Sequence, residues 1–157
     1  MIALNQFCAD SDDLRYFIHQ PWSRGDFTYA TNGHILVRVP RLQEVPENSN
    51  TPDAQQLMDK TAPANDWMPV PVATMPPDVQ CKWCDGTKRD PTDKRFKCDE
   101  CGATGKQRAW IGVDVGDASF DQGYLSMIQG WEIAPNGLER AWIRCGDALG
   151  LLMPRRE

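Results

Sequence analysis

Cys81-Lys-Trp-Cys84 and Cys98-Asp-Glu-Cys101 are two C-x2-C pairs with thirteen residues between them, and no other feature restricts the chain's conformation as much. Two tight turns at this spacing offer four sulfurs to one tetrahedral ion, the pattern of a structural zinc site. Gly86 stands two places after Cys84, and Gly102 directly follows Cys101. A chain wrapping a metal turns sharply at such points and aims N–H groups at sulfur, which calls for the positive φ angles that glycine reaches freely. Residues 81–108 hold few large apolar groups, chiefly Trp83 and Phe96, with Trp110 just beyond. They cannot bury a core alone, whereas structural zinc contributes about 10–16 kcal/mol of apparent binding free energy in small fingers. Cys81, Cys84, Cys98 and Cys101 are therefore assigned to one structural Zn2+. With every ligand a cysteine, no coordination position is left for a reacting water. Redox thiols and an iron centre are the alternatives.

The balance of 17 Lys and Arg against 22 Asp and Glu gives a net charge of −5, which argues against coating nucleic acid through an overall field. From Cys81 to Arg108, eight bases outnumber five acids, so this segment carries +3 and the remainder −8. Four thiolates on one Zn2+ bring about −2 and offset most of that excess. Six cysteines, together with a start that lacks a basic stretch ahead of a long apolar one, lead to the expectation of a cytoplasmic protein. No apolar run approaches the roughly 18 residues of a membrane span.

The 157 residues, 41% of them hydrophobic, suit one packed domain carrying a small module. Asp10-Ser-Asp-Asp ahead of Leu14, Phe17 and Ile18 reads as a short capped helix over 11–19, stopped by Pro21. Phe27–Thr31 and His34–Val39 flank Asn32-Gly33, the sequence of a type I′ hairpin. Eight of the twelve prolines fall in 40–77, so this stretch should run irregularly, interrupted by one helix from Thr51-Pro52-Asp53 to Lys60 with Thr51 as cap. Gln107–Val115 alternates like a single half-buried strand. Asp121 is a plausible cap for a helix bearing Tyr124, Leu125 and Ile128, and Leu138–Met153 reads as two strands around Gly146-Asp147, with Trp142, Ile143, Leu149, Leu151 and Leu152 in the core. No internal repeat is evident. The expected fold is α+β: two or three short helices on antiparallel sheet, formed by 1–77 and 107–157, with a four-cysteine zinc ribbon inserted at 78–106.

Cys81-x-x-Cys84-x-Gly86 with Cys98-x-x-Cys101-x-x-Thr104-Gly105 resembles half of the cysteine-rich region of J-domain co-chaperones, and zinc ribbons generally. A second likeness runs through the rest of the chain. Tyr29-Ala-Thr-Asn-Gly-His34-Ile-Leu-Val resembles the ATDGH-type hairpin of the DNA polymerase III β sliding clamp, Phe120-Asp-Gln-Gly-Tyr-Leu125 is similar to the start of that family's last helix, and Ala148–Met153 followed by Pro154 resembles its terminal strand. The likeness implies one clamp-type domain with two helices backing antiparallel sheets. A ring would need several copies, so a homo-oligomer is part of what it implies. The family's inner helices face DNA with positive charge, whereas 11–19, 52–60 and 121–129 here each carry −1, a sign that opposes phosphate binding.

His19 and His34 read as surface or hairpin residues, and Cys8 and Cys145 as small buried groups. Asp114, Asp117 and Asp121 suit a solvated loop better than a magnesium site. Trp83, beside Lys82, Lys88, Arg89, Lys94 and Arg95, has two readings: it packs the module onto the main domain, or it stacks on bases beside phosphate contacts. The leading functional expectation is a non-catalytic zinc-containing adaptor that presents a recognition surface to a protein partner. The alternative is a DNA-associated replication or regulatory protein that uses those six ribbon residues.

Overall fold

The computed structural model describes residues 1–11 and 13–156. Its strands are β1 (Trp22–Arg24), β2 (Phe27–Thr31), β3 (Ile35–Pro40), β4 (Met68–Pro69), β5 (Asp78–Gln80), β6 (Lys106–Arg108), β7 (Gly112–Val115), β8 (Ala118–Asp121), β9 (Glu132–Asn136), β10 (Glu139–Cys145) and β11 (Ala148–Leu152), with helices α1 (Ala54–Lys60) and α2 (Gln122–Met127). Seven strands form one antiparallel sheet in the order β1-β2-β3-β11-β10-β9-β4, while β5-β6 and β7-β8 are separate two-stranded pairs. The α+β class expected from the sequence is the class observed.

The sheet is apolar on both faces. Along β3, Ile35 and Val37 enter one core and Leu36 the other; on β10, Ala141 and Ile143 oppose Trp142; on β11, Leu152 opposes Leu151. A period of two thus places an apolar residue on either side at successive positions. One face is covered by α2, the β7-β8 hairpin and a 3-10 turn, Leu4–Phe7, which contribute Leu125, Phe120 and Phe7, each fully buried. The opposite face is covered by α1 through Ala54 and Met58, and by Ile18. The two helices therefore back opposite faces. Gln55 ties α1 to the sheet, its Oε1 accepting from the Tyr29 hydroxyl at 3.0 Å and from Arg38 Nη1 at 2.7 Å. The chain after α1 is held by Trp142 Nε1 donating to the Ala62 carbonyl at 2.6 Å.

Several expectations need correction. Among the described residues of 11–19 there is only a 3-10 turn, Tyr16–Ile18, because the polar groups before it bond locally: Asp13 accepts from the Arg15 backbone and side chain. The hairpin after β2 forms, but Gly33 alone takes positive φ, at 92°. Asn32 instead uses Oδ1 to accept from the N–H groups of His34 and Ile35, at 2.9 and 3.1 Å, an Asx turn in place of type I′. The cap of α1 is Asp53, whose side chain accepts from Gln56 N, not Thr51. The expected strand 107–115 is two strands in different pairs, β6 with β5 and β7 with β8. Asp121 does cap α2, accepting from Gly123 and Tyr124 N.

Gly150 lies where β11 meets β3, and a Cβ there would run into the Leu36 carbonyl oxygen. Gly150→Ala should therefore destabilise the protein by about 1–3 kcal/mol in chemical denaturation, a loss that an unchanged midpoint would refute.

Candidate metal centre and adjoining clefts

The four sulfurs assigned from the sequence converge: every Sγ of Cys81, Cys84, Cys98 and Cys101 lies within 4.8 Å of the others, with Cys81 to Cys98 at 4.0 Å and Cys84 to Cys101 at 3.8 Å. A tetrahedron with zinc–sulfur bonds of about 2.3 Å has edges of about 3.8 Å, so the donor set fits one ion. A disulfide, with sulfurs about 2.0 Å apart, is not formed by any of the four. No other group of three or more His, Cys, Asp or Glu with this geometry occurs among the described residues. Burial pushes the Cys98 thiol up, to about 12. At Cys101 the Gly105 N–H, 3.3 Å from Sγ, and the neighbouring sulfurs outweigh burial and bring the value to about 6.

The backbone around the sulfurs repeats with an offset of 17 residues, a repeat the sequence reading missed. Cys81–Lys88 and Cys98–Gly105 share the pattern C-x-x-C-x-x-T-x. Positive φ falls at matching places: Asp85 and Gly102 (52° and 59°), Gly86 and Ala103 (78° and 62°), Lys88 and Gly105 (68° and 76°). Thr87 and Thr104 each donate from Oγ1 to the carbonyl of the preceding cysteine at 2.7 Å. The knuckles also exchange bonds, Cys98 N donating to Lys88 O at 3.0 Å and Cys81 N to Gly105 O at 2.9 Å. Below them, β5 and β6 pair from Asp78 with Arg108 to Gln80 with Lys106 and close the insert.

Asp85, Lys88 and Ala103 adopt φ values that cost roughly 1–3 kcal/mol apiece outside glycine. Together they ask for about 3–9 kcal/mol, less than the about 10–16 kcal/mol that structural zinc supplies. A bound metal of that strength would outweigh the strain in a segment that has only its own four cysteines as a buried cluster.

Of the ribbon residues picked for recognition, Lys82, Trp83, Lys88, Arg89, Lys94 and Arg95 are all exposed. Arg95 is paired with Asp93 at 2.7 Å, and the guanidinium holds that carboxyl below its ordinary range. Arg89 bridges to Lys97 in a short antiparallel turn. Trp83 is 53% exposed and joins neither core, which corrects the expectation that it packs the module onto the domain. Asp114 and Asp117 are exposed, whereas Asp121 is buried and paired with Arg108 at 3.1 Å.

Sequence reasoning missed two adjoining concavities. An apolar groove of about 330 Å³ runs between α1 and the sheet, lined by Phe17, Ile18, Trp22, Leu36, Ala54, Leu57, Leu151 and Met153. Trp22 is among its lining residues, and its buried Nε1 has no acceptor among the described residues. Gly33, His34 and Met153 also border a second cleft of about 510 Å³, with Trp110, Asp121, Tyr124, Arg155 and Arg156. His34 stacks on Tyr124, centroids 5.8 Å apart, and Arg108 lies 5.2 Å from the ring centroids of both Trp110 and Tyr124. The only sequence signal for this site was indirect: the three stretches that resemble the clamp, distant along the chain, meet here. Asn32 Nδ2 donates to the Tyr124 hydroxyl at 3.2 Å, and Met153 N to the His34 carbonyl at 2.9 Å.

Compared with protein-family models, curated proteins and solved structures, the chain matches none. No helix among the described residues is long and apolar enough to cross a membrane.

Cys81→Ser and Cys98→Ser should each abolish stoichiometric zinc and erase the dispersed amide signals of 79–108 while those of β3, β10 and β11 persist; retained metal with an ordered ribbon would disprove the ligand set. Lys88→Gly places glycine where the other knuckle has Gly105, and removing its strain should raise apparent zinc affinity by up to about tenfold, since about 1.4 kcal/mol is a factor of ten; competition with a chromophoric chelator reads the change.

Proposed function

We propose that this is a non-catalytic binding protein in which a structural four-cysteine zinc ribbon accompanies a domain that seats an extended segment of a protein partner in its apolar groove. The observation that carries the proposal is the groove itself, an apolar trough between α1, Ile18 and the β3-β11 part of the sheet. An extended polypeptide offers apolar side chains at alternate positions and carbonyl acceptors between them, which is the chemistry such a trough takes. The closed sulfur shell supports a structural role for the metal, because four thiolates leave no position for water or substrate. The meeting of the three clamp-resembling stretches around His34, Tyr124 and Met153 supports reading that resemblance as one of a whole domain. Encirclement of DNA is not part of the proposal: α1 carries Asp59 against Lys60, and α2 carries no base.

A second reading, a DNA-associated protein that stacks bases on its ribbon, is favoured by one observation, the exposure of Trp83 next to Lys82 and on the same knuckle as Lys88. The readings separate by mutation. Leu57 is 36% exposed on the groove wall, so Leu57→Glu should leave zinc content and thermal unfolding unchanged. The same change should weaken binding of peptides selected from a displayed random library by tenfold or more, a loss of at least about 1.4 kcal/mol. Salt-dependent binding of short single-stranded DNA that Trp83→Ala abolishes and Leu57→Glu leaves intact would favour the second reading instead.

A further inference from the structure

The ribbon joins the body of the protein through two chain segments, and both are tied to the head of α2. On the way in, the Thr74 carbonyl accepts from Gln122 Nε2 at 2.9 Å. On the way out, the Ile111 carbonyl accepts from Gln122 N at 2.8 Å, and Arg108 Nη2 reaches the Asp121 carboxylate at 3.1 Å. Asp121 is 2% exposed, and its Oδ1 also accepts from the N–H groups of Gly123 and Tyr124, at 2.7 and 3.3 Å. Its Oδ2 is buried with no hydrogen-bond partner among the described residues. Among those residues, Arg108 is the one cation that pairs with this carboxylate. Gly123 makes room for the guanidinium, since a Cβ there would lie 2.7 Å from Arg108 Cζ. A buried carboxylate of this kind depends on its cation, because taking the partner away leaves a charge that water no longer solvates.

Arg108 in turn depends on the ribbon. It ends β6, whose only partner is β5, and stands opposite Asp78. Three residues pairing with three, with β5 exposed throughout, make a ladder too short to hold in water by itself. The ladder runs straight into the four sulfurs. Gln80 pairs with Lys106, the next bond is Cys81 N to Gly105 O at 2.9 Å, and Gly105 N donates to Cys101 Sγ at 3.3 Å. The cysteines thus hold the top of the ladder, and Arg108 stands at its foot, about 10 Å along the strand from Gly105.

We infer that filling the four-cysteine site with metal and capping α2 are one coupled equilibrium, with the β5-β6 ladder as the element that orders or disorders and Arg108 as its contact with Asp121. The inference rests on the reading of the four sulfurs as a zinc site and is independent of what occupies the groove. Metal orders the ladder, the ladder holds Arg108 against Asp121, and the paired carboxylate holds the first turn of α2. Linkage runs both ways: the factor by which metal tightens the cap is the factor by which the Arg108 contact tightens metal binding.

Two measurements on the full chain test it: hydrogen exchange of the Gly123 and Tyr124 amides with and without zinc, and zinc affinity by competition with a chromophoric chelator. Removing zinc from the wild type should speed exchange at both amides by about tenfold, within the range of about five- to 150-fold of ordinary coupling, while the β3 and β11 amides keep their protection. Arg108→Met should weaken zinc binding by a similar factor and remove most of the response of the two amides to zinc. Asp121→Asn keeps an oxygen for the Gly123 and Tyr124 N–H groups but carries no charge, so it too should lose most of that response; it carries the test if Arg108→Met does not fold. Lys106→Met removes a cation two residues earlier on β6 and should change neither quantity. A zinc affinity untouched by Arg108→Met, exchange at α2 that ignores zinc, or a zinc response undiminished in Asp121→Asn overturns the inference and leaves the ligand set standing. So does an equal loss of zinc affinity in Lys106→Met, which would assign the effect to charge alone. If the wild type takes up no stoichiometric zinc, the ligand set fails and takes the inference with it.

Discussion

The pairing of β3 with β11, Arg38 opposite Leu149 through Ile35 opposite Leu152, is the interaction on which the rest of the molecule depends. It joins the hairpin near the start of the chain to the hairpin near its end and so makes one seven-stranded sheet out of two short ladders. Everything between is accommodated around that seam. Leu36 and Leu151 turn to one face, where they line the groove, while Ile35 and Leu152 turn to the other. The seam is close because Gly150 carries no side chain where the Leu36 carbonyl approaches. It also brings Met153 against the His34 carbonyl, which is why the groove and the arginine cleft meet at those residues.

What could be read from the sequence was what local chemistry decides. The cysteine spacing named all four sulfurs, the Asp121 cap located α2, and Gly146-Asp147 located the turn between β10 and β11. Where several local solutions compete, the reading went astray. Asn32-Gly33 can close a hairpin by backbone φ alone or by a side-chain turn, and the Asn32 carboxamide took the second route. The alternation through Gln107–Val115 is continuous in sequence, yet the chain changes partner at residues 109–111, because β5 must close the ribbon and β8 must close the next hairpin. β9 escaped notice because Pro135 and polar ends obscure Ile133 and Ala134, whose burial comes from neighbours on both sides of the sheet. The groove and cleft were illegible for a different reason: their walls come from residues that only the long-range seam assembles.

The ribbon's repeat shows how little of the sequence its two similar backbone bends share. Two octets share three residues, Cys, Cys and Thr, yet their backbones bend alike at three matched positions, where three of the six residues are not glycine. Glycine supplies the bend at Gly86, Gly102 and Gly105, while at Asp85, Ala103 and Lys88 the same bend is made without it. Coordination by these four sulfurs would compensate for how few apolar groups the module holds.

Arg108 gives the insert a grip on the body of the protein. It is the last residue of β6, the strand that closes the ribbon, and its guanidinium is the counter-charge to the buried Asp121 at the head of α2. If the knuckles come apart, β6 loses β5 as its mate, and the carboxylate it neutralises faces the interior with no cation beside it, an unfavourable arrangement. A single side chain thereby links the strand that closes the ribbon to the wall shared by Tyr124 and Trp110.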